Sequence, residues 1–400
     1  MIKAIFRPGR ALNFHRMTKM TPFSSSPVAS TSNSVDEPEV LFDSQGSRRV
    51  ITLNRPKSLN ACTLNMVRCM YPKLKEWDES KEVDLVVIKA AGDKAFCAGG
   101  DAIAVVTSAK DALAGGKSTV HKDFFREEFV MNHLINTFSK PYLAFADGIV
   151  FGGGLGLAVI GSFCIVTERT LLSMPETQLG VFPDIGAGYF LSRLKSNLGM
   201  YFGLCSTRIK GADALHTGLA THYIESPNLP DVEKELTSSI KRLDNNSIND
   251  LLNSFKPTKI PSFSLEEQIQ TIDYCFGGSS VEEIISRLEK DGSDWAMEQV
   301  KVLSKMSPTS LKVTHQQITN ARKLDYAQTL QMEFRILQRI TLGPDLHEGC
   351  RAILIDKDRN PKWNPARLED VTKNKVDGYF TALPENEELK LPNRRKSSKL

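Results

Sequence analysis

The feature that most restricts how this chain can fold is a long apolar stretch that covers residues 142–166. Only Asp147 and Ser162 interrupt it, and its 25 residues exceed the roughly 20 that span a bilayer. It also contains six glycines, and glycine weakens the interior of a helix. A membrane helix is therefore disfavoured. The stretch instead predicts a strand over residues 142–146 that turns into a short buried helix, followed by a strand around residues 163–167.

Two earlier segments have the same strand-like character. Residues 49–53 and 83–89 are short runs rich in β-branched residues, and the first is followed by apolar residues at helical spacing. Units of strand and helix repeat in this way up to about residue 225, which indicates an α/β domain.

The pattern becomes helical beyond about residue 230, as in residues 281–288 and 326–340, with few strand-like runs. We therefore predict an α/β core over residues 36–230 and a helical C-terminal region over residues 231–385. A basic tail over residues 386–400 ends the chain.

Both ends of the chain carry features of targeting segments. Residues 1–35 hold five basic residues and no acidic one, and serine crowds their second half. This composition is typical of a mitochondrial transit peptide, the alternative being an N-terminus without a targeting role. The chain ends in Ser398-Lys399-Leu400, which is a peroxisomal address when it is free at the C-terminus. We expect the mitochondrial matrix, with the peroxisome as the alternative.

The distribution of charge argues against a generally basic surface. The chain has 51 Lys and Arg residues against 47 Asp and Glu residues, a formal net charge of +4. Five of the positive charges lie in residues 1–35 and four in residues 394–400, so residues 36–393 carry a net charge of −5. We therefore expect neither a nucleic-acid nor a membrane partner.

Neither the cysteines nor the histidines have the spacing of a metal site. The seven cysteines include no C-x-x-C pair, and the seven histidines include no H-E-x-x-H motif. The sequence predicts reduced thiols inside a cell, with no disulfide framework and no metal.

Two glycine-rich turns each join a strand to a helix. Residues 94–101 read KAFCAGGD, in which Asp101 is expected to cap the following helix, and residues 147–154 read DGIVFGGG. Glycine lets a ligand approach backbone N–H groups, so two such turns in one domain could together form an oxyanion hole, although either turn alone is often structural. The G-x-G-x-x-G spacing of dinucleotide sites is absent.

Two carboxylates follow prolines in an otherwise apolar segment. Glu176 and Asp184 lie eight residues apart within residues 174–188. If they are buried, desolvation raises their pKa values, which suits acid, base or nucleophilic chemistry. If they lie in exposed turns, they have no such role, and the pattern alone leaves both interpretations open.

A third acidic residue lies on the apolar face of a predicted helix over residues 123–138. Glu128 falls within a stripe formed by Phe124, Met131, Ile135 and Phe138, whereas Glu127 can face solvent. A buried acid needs a partner or a ligand, but apolar stripes also have polar edges. Glu128 is thus a candidate site residue or an edge residue.

Together these segments resemble the crotonase (enoyl-CoA hydratase/isomerase) superfamily, over nearly all of residues 38–385. Seven motifs occur in the order that this superfamily has them. They are ITLNRPKSLNA (51–61), KAFCAGGD (94–101), FFREE (124–128), GGGLGL (152–157), MPETQLGVFPDIGAGYF (174–190), MSPTSLK (306–312) and HEGCRAILIDKDRNPKW (347–363).

The resemblance implies a fold and a site. The fold is a spiral of ββα units, here with a helical C-terminal region, and members often assemble as homo-oligomers. The backbone N–H groups of Ala98 and Gly153 are implied as the oxyanion hole. Around the acyl group the resemblance implies Glu128, Gly153, Glu176 and Asp184. Residues 51–61 help to hold the adenine end of coenzyme A, which belongs to the substrate, so no cofactor is expected.

One departure from the superfamily pattern bears on the reaction. Hydratases that resemble this chain use two glutamates, one after the glycine-rich turn and one in the M-P-E motif, but the first position here is Gly156. The resemblance therefore favours hydrolysis of a short 3-hydroxyacyl-CoA thioester, with Glu176 as nucleophile or base and Asp184 as its partner. A hydratase and a relative that has lost catalysis, acting as a scaffold or on RNA, are the alternatives.

Overall fold

A computed structural model of the chain describes residues 37–239 and 241–394. The predicted transit peptide and the C-terminal Ser398-Lys399-Leu400 lie outside the described residues. From Pro38 onward the described chain forms one compact unit.

Two sheets make up the strand content of the described residues. One has six strands in the order β1-β2-β3-β5-β7-β10, and the other has four in the order β4-β6-β8-β9. The strands are β1 (Val40–Gln45), β2 (Arg48–Leu53), β3 (Leu85–Ala90), β4 (Ala95–Cys97), β5 (Tyr142–Ala146), β6 (Ile149–Phe151), β7 (Phe163–Val166), β8 (Leu171–Ser173), β9 (Ile209–Lys210) and β10 (His222–Tyr223).

From β3 to β8, successive strands alternate between the two sheets. β3, β5 and β7 pair in parallel in the larger sheet, while β4, β6 and β8 pair in parallel in the smaller one. Each turn of the spiral therefore adds one strand to the larger sheet and one to the smaller sheet. Helical segments then lead the chain back to the larger sheet. This arrangement confirms the predicted α/β spiral.

The short strands of the smaller sheet were the part that the sequence analysis missed. It took the chain from the strand at residues 142–146 directly into the glycine-rich helix, whereas β6 lies between them. A strand of three residues, such as β6, is too short for the alternation of apolar and polar side chains to be recognised in the sequence. Gly148 makes the turn between β5 and β6 with φ of +84°, and a Cβ atom there would lie 2.6 Å from Lys94 O.

The described residues form sixteen α-helices, and none of them is long and apolar enough to cross a membrane. They are α1 (Leu64–Glu79), α2 (Ala102–Leu113), α3 (Val120–Asn136), α4 (Gly153–Ala158), α5 (Ala187–Leu191), α6 (Leu198–Cys205), α7 (Gly211–Thr217), α8 (Leu229–Ser238), α9 (Asn245–Ser254), α10 (Ile269–Phe276), α11 (Val281–Asp291), α12 (Asp294–Leu303), α13 (Pro308–Ala321), α14 (Tyr326–Ile340), α15 (Pro344–Cys350) and α16 (Lys373–Phe380).

Local sequence explains where the helices begin. Asp101 caps α2 as predicted, since its side chain accepts a hydrogen bond from Ala104 N. α14 coincides with the predicted helical run, and Asp325 and Gln328 form a reciprocal capping box at its start. The helical pattern predicted over residues 281–288 is confirmed by α11.

The larger sheet is covered on both faces. Val86 and Ile88 of β3 point into the main core, which also includes side chains of the C-terminal helices. Leu85 and Val87 of the same strand point to the other face, where α8 and α9 pack. Strands buried on both faces read as continuous apolar runs, which is why this sheet was visible in the sequence.

Candidate active site

A cavity lies where the glycine-rich turns of the smaller sheet meet α3, and its empty space, including the part open to solvent, is about 650 Å³. All five residues that the sequence analysis proposed for the site line it, namely Ala98, Glu128, Gly153, Glu176 and Asp184. The rest of the lining is mainly apolar and includes Phe124, Val105, Leu179 and Leu337. This is the composition of a pocket that takes an apolar group bearing a few polar atoms.

Three separate elements supply the carboxylates. Glu128 comes from the middle of α3, and Glu176 begins a short 3₁₀ helix just after β8. Asp184 lies in the loop that precedes α5. Their exposures are 3%, 7% and 8%, so the alternative of exposed turn residues does not describe this chain.

At Gly152 and Gly153 the backbone passes close to two of these carboxylates. A Cβ atom on Gly152 would lie 2.5 Å from Glu176 Oε1, and one on Gly153 would lie 2.9 Å from Glu128 Oε1. Gly152 also has φ of +48°, which side chains disfavour. The turn therefore brings its backbone against both acids.

The oxyanion hole predicted from Ala98 and Gly153 needs a correction. The backbone N–H of Ala98 already donates to Leu59 O at 3.0 Å, because the segment that contains Leu59 runs beside this turn. Among the described residues, no acceptor bonds the N–H of Gly100 or of Gly153. A Cβ atom on Gly153 would lie 3.3 Å from Gly100 N, so these two free donors are neighbours.

Burial raises the pKa values of all three carboxyls. Desolvation is the main cause for each, and the charge of Asp184 adds to it for both glutamates. The pKa of Asp184 itself rises to about 7. Within the described part of the chain, Glu176 Oε2 is buried without a hydrogen-bond partner. A buried, unpartnered carboxyl with a raised pKa is suited to exchange a proton with a bound ligand or to attack it.

The position of the absent second glutamate is filled by a residue that sequence reasoning did not single out. A Cβ atom on Gly156 would lie 2.2 Å from Asn132 Nδ2, so a side chain there would require Asn132 to move. Asn132 lies one turn after Glu128 on α3 and is fully buried. Neither polar atom of its amide has a partner among the described residues.

Two further residues of the cavity come from the C-terminal helices. Leu337 of α14 and Leu346 of α15 line it, and a contribution from beyond residue 230 could not be located by pattern alone. Leu346 directly precedes the HEGCRAILIDKDRNPKW motif. The position of Leu346 next to this motif was the indication in the sequence that this part of the chain contributes to the cavity.

The spiral fold, the paired glycine turns and the buried acids define a class of protein, and comparison with known sequences agrees with it. The sequence profile of the enoyl-CoA hydratase/isomerase family matches residues 48–380. The chain belongs to this family.

Several individual proteins are similar to this chain over most of its length. The mitochondrial 3-hydroxyisobutyryl-CoA hydrolase of Danio rerio is 46% identical over 88% of this chain and 92% of its own length. The Homo sapiens protein of the same name is 46% identical over 86% of this chain and 89% of its own length. Among solved structures, a carnitinyl-CoA dehydratase from Mycobacterium thermoresistibile superposes with a TM-score of 0.82 at 33% identity, over 90% of this chain and 100% of its own.

Proposed function

We propose that this protein hydrolyses 3-hydroxyisobutyryl-CoA to the free hydroxy acid and coenzyme A, and that it also accepts 3-hydroxypropionyl-CoA. The names of the relatives at 46% identity support this substrate. The observation that carries the proposal is the placement of two free backbone donors and three buried carboxylates around one cavity.

The N–H groups of Gly100 and Gly153 would hold the thioester oxygen. As the carbonyl carbon is attacked, negative charge develops on that oxygen, and fixed donors stabilise it without reorganising. A donor of this kind contributes about 3 kcal/mol to the transition state in comparable acyl-transfer sites.

Glu176 would deliver the attack. Its Oε1 lies against the turn that holds Gly153, so the carboxylate and the donors address the same carbonyl. It acts either as a nucleophile that forms a mixed anhydride and expels the coenzyme A thiolate, or as a base that activates water. Single turnover in H₂¹⁸O separates the base route from an anhydride that water opens at the Glu176 carbonyl carbon. In that anhydride route ¹⁸O enters Glu176 and the released acid carries an unlabelled oxygen from Glu176, whereas in the base route ¹⁸O enters only the released acid.

Asp184 would position the 3-hydroxyl of the substrate, with Glu128 completing the polar wall around it. An acyl-CoA without the hydroxyl leaves these buried carboxylates unpaired and should be a poor substrate. The other role open to Asp184 is to shuttle the proton that the reaction moves.

Hydration is the main alternative, since similar structures include a dehydratase and an enoyl-CoA hydratase from Rhodobacter sphaeroides. The second of these has a TM-score of 0.79 at 32% identity, over 88% of this chain and 100% of its own. Adding water across a double bond needs a second glutamate where this chain has Gly156. Asn132 occupies the space that such a side chain would need. This arrangement favours hydrolysis.

The test is release of free thiol from 3-hydroxyisobutyryl-CoA by the purified protein. Glu176→Gln should reduce kcat by about 10³-fold or more, because it removes the attacking group while keeping its shape. Glu348→Gln, which changes an acid outside the cavity, is the matched control and should leave the rate unchanged. Full activity of the Glu176 variant, or loss of the enoyl absorbance of crotonyl-CoA at a comparable rate, would overturn the assignment.

The same proposal places the protein in the mitochondrial matrix, in the breakdown of valine. The relatives are mitochondrial by name, and residues 1–35 have the composition of a transit peptide. The reaction would need no cofactor, since coenzyme A arrives with the substrate.

A further inference from the structure

The loop that presents Asp184 to the cavity has a backbone conformation that it does not adopt for local reasons. Ile185 has φ of +57° and Gly186 has φ of +80°. The left-handed region is unfavourable for a β-branched residue and persists only where the surroundings impose it. Something outside the loop must therefore hold these two residues.

Side chains of α13 and α14 supply those restraints. Gln317 Nε2 donates to Pro183 O at 2.6 Å, and Tyr326 Oη donates to Ile185 O at 2.9 Å. The carbonyls on both sides of Asp184 are thus fixed by the helical C-terminal region.

Glu333 of α14 fixes the next part of the loop. Its Oε2 accepts from Gly186 N at 2.6 Å and its Oε1 accepts from Gly188 N at 2.8 Å, while Gln317 Nε2 also donates to Oε1 at 2.7 Å. Glu333 is fully buried, and these three donors are its hydrogen-bond partners. The mechanism proposed above makes no use of this acid, and it does not line the cavity.

The same helix also reaches the cavity. Leu337 lies one turn after Glu333 on α14 and forms part of the lining. One rigid helix therefore sets both a wall of the pocket and the loop that carries a carboxylate into it.

We propose that Glu333 is a positioning residue that, with Gln317 and Tyr326, holds the turn at residues 185–186 and so sets the place of Asp184 in the site. This inference rests on the proposed function, since it gives that site a support drawn from the helical region. Glu333 acts through Asp184 and does not touch the substrate.

A double-mutant cycle tests the proposal. Glu333→Gln leaves one acceptor oxygen in place of two and directs an NH₂ group at an N–H donor, so the loop should loosen. Its effect on kcat should be roughly 10- to 100-fold in the protein with Asp184. In the Asp184→Asn background it should be under about threefold, because a residue that acts only through Asp184 has nothing left to position.

A control variant, a second test variant and a measurement of amide exchange complete the experiment. Glu388→Gln is the control, because that carboxylate also accepts from a backbone N–H and a side chain, but binds Leu383 and Arg335 instead of the Asp184 loop. Tyr326→Phe, which removes only the bond to Ile185 O, should give a smaller loss of the same kind if Glu333→Gln fails to fold. Amide exchange of residues 184–188 should rise at least about tenfold in Glu333→Gln and stay unchanged in Glu388→Gln.

An equal loss of kcat in both Asp184 backgrounds would overturn the proposal, as would unchanged exchange in the loop. If the unsubstituted protein releases no coenzyme A, the proposed function fails. Amide exchange then decides alone whether Glu333 holds the loop.

Discussion

The α/β spiral and the helical C-terminal region hold their parts of the site by different means. In the spiral, the backbone itself approaches the acids, as at Gly152 and Gly153, and position is fixed by strands and turns. At Asp184, long side chains from α13 and α14 bind the loop carbonyls and amides. The difference suggests a division of labour, in which the spiral provides attack and oxyanion stabilisation and the helices set how the acyl group is recognised.

Among the substitutions that test this comparison, the largest effect is expected from one that disturbs the spiral. Gly152→Ala places a Cβ atom 2.5 Å from Glu176 Oε1, so the carboxylate must move. A displacement of about 1 Å in a reacting group can cost on the order of 10²-fold in rate. We expect kcat to fall by about that factor for hydroxylated and plain acyl-CoA alike, measured by thiol release.

The control for this substitution separates the effect of backbone strain at a positive φ from the effect of the contact with Glu176. Gly218 also has a left-handed φ, +81°, but a Cβ atom there meets nothing within 4 Å. Gly218→Ala should therefore lower stability without changing kcat. A similar loss of rate in both variants would mean that the Gly152 contact with Glu176 is not the cause.

A smaller and more selective effect is expected from the Asp184 loop. Asp184→Asn should lower kcat/KM for 3-hydroxyisobutyryl-CoA by roughly 10- to 100-fold and for isobutyryl-CoA by less than about threefold. The reason is that only the hydroxylated acyl group exchanges a hydrogen bond to a carboxylate for a weaker one to a neutral amide. The ratio of the two values is the measurement, and an equal loss for both substrates would assign Asp184 to proton transfer instead.

The same contrast explains what could be predicted from the sequence. The parallel strands of the larger sheet were visible because burial on both faces makes them continuous apolar runs, and Glu176 and Asp184 stood out as acids in an apolar segment. The Ala98 assignment was wrong because which amide of a turn remains free depends on a neighbouring segment, here the carbonyl of Leu59. Glu333 could not be found, since its contact with Gly186 joins residues 147 positions apart.

The smallest effect is expected on stability. It tests whether ionisation of the buried Asp184 carboxyl destabilises the folded protein. Its pKa of about 7 in the folded protein lies above its ordinary value of 3.8, so the folded state binds the proton more tightly. Stability from this group is fully present below about pH 4 and is lost as pH rises to about 7. Asp184→Asn, which cannot ionise, should therefore raise Tm relative to the unsubstituted protein by several degrees, about 5 °C, at pH 8 and by little at pH 4.5.

The control is Asp370→Asn, which changes an exposed acid whose pKa is lowered by Arg367. This variant should show no such gain in Tm. A Tm difference for Asp184→Asn that is the same at both pH values would show that the helices hold Asp184 without an ionisation penalty. Positioning by α13 and α14 would then account for its role without any contribution from its shifted pKa.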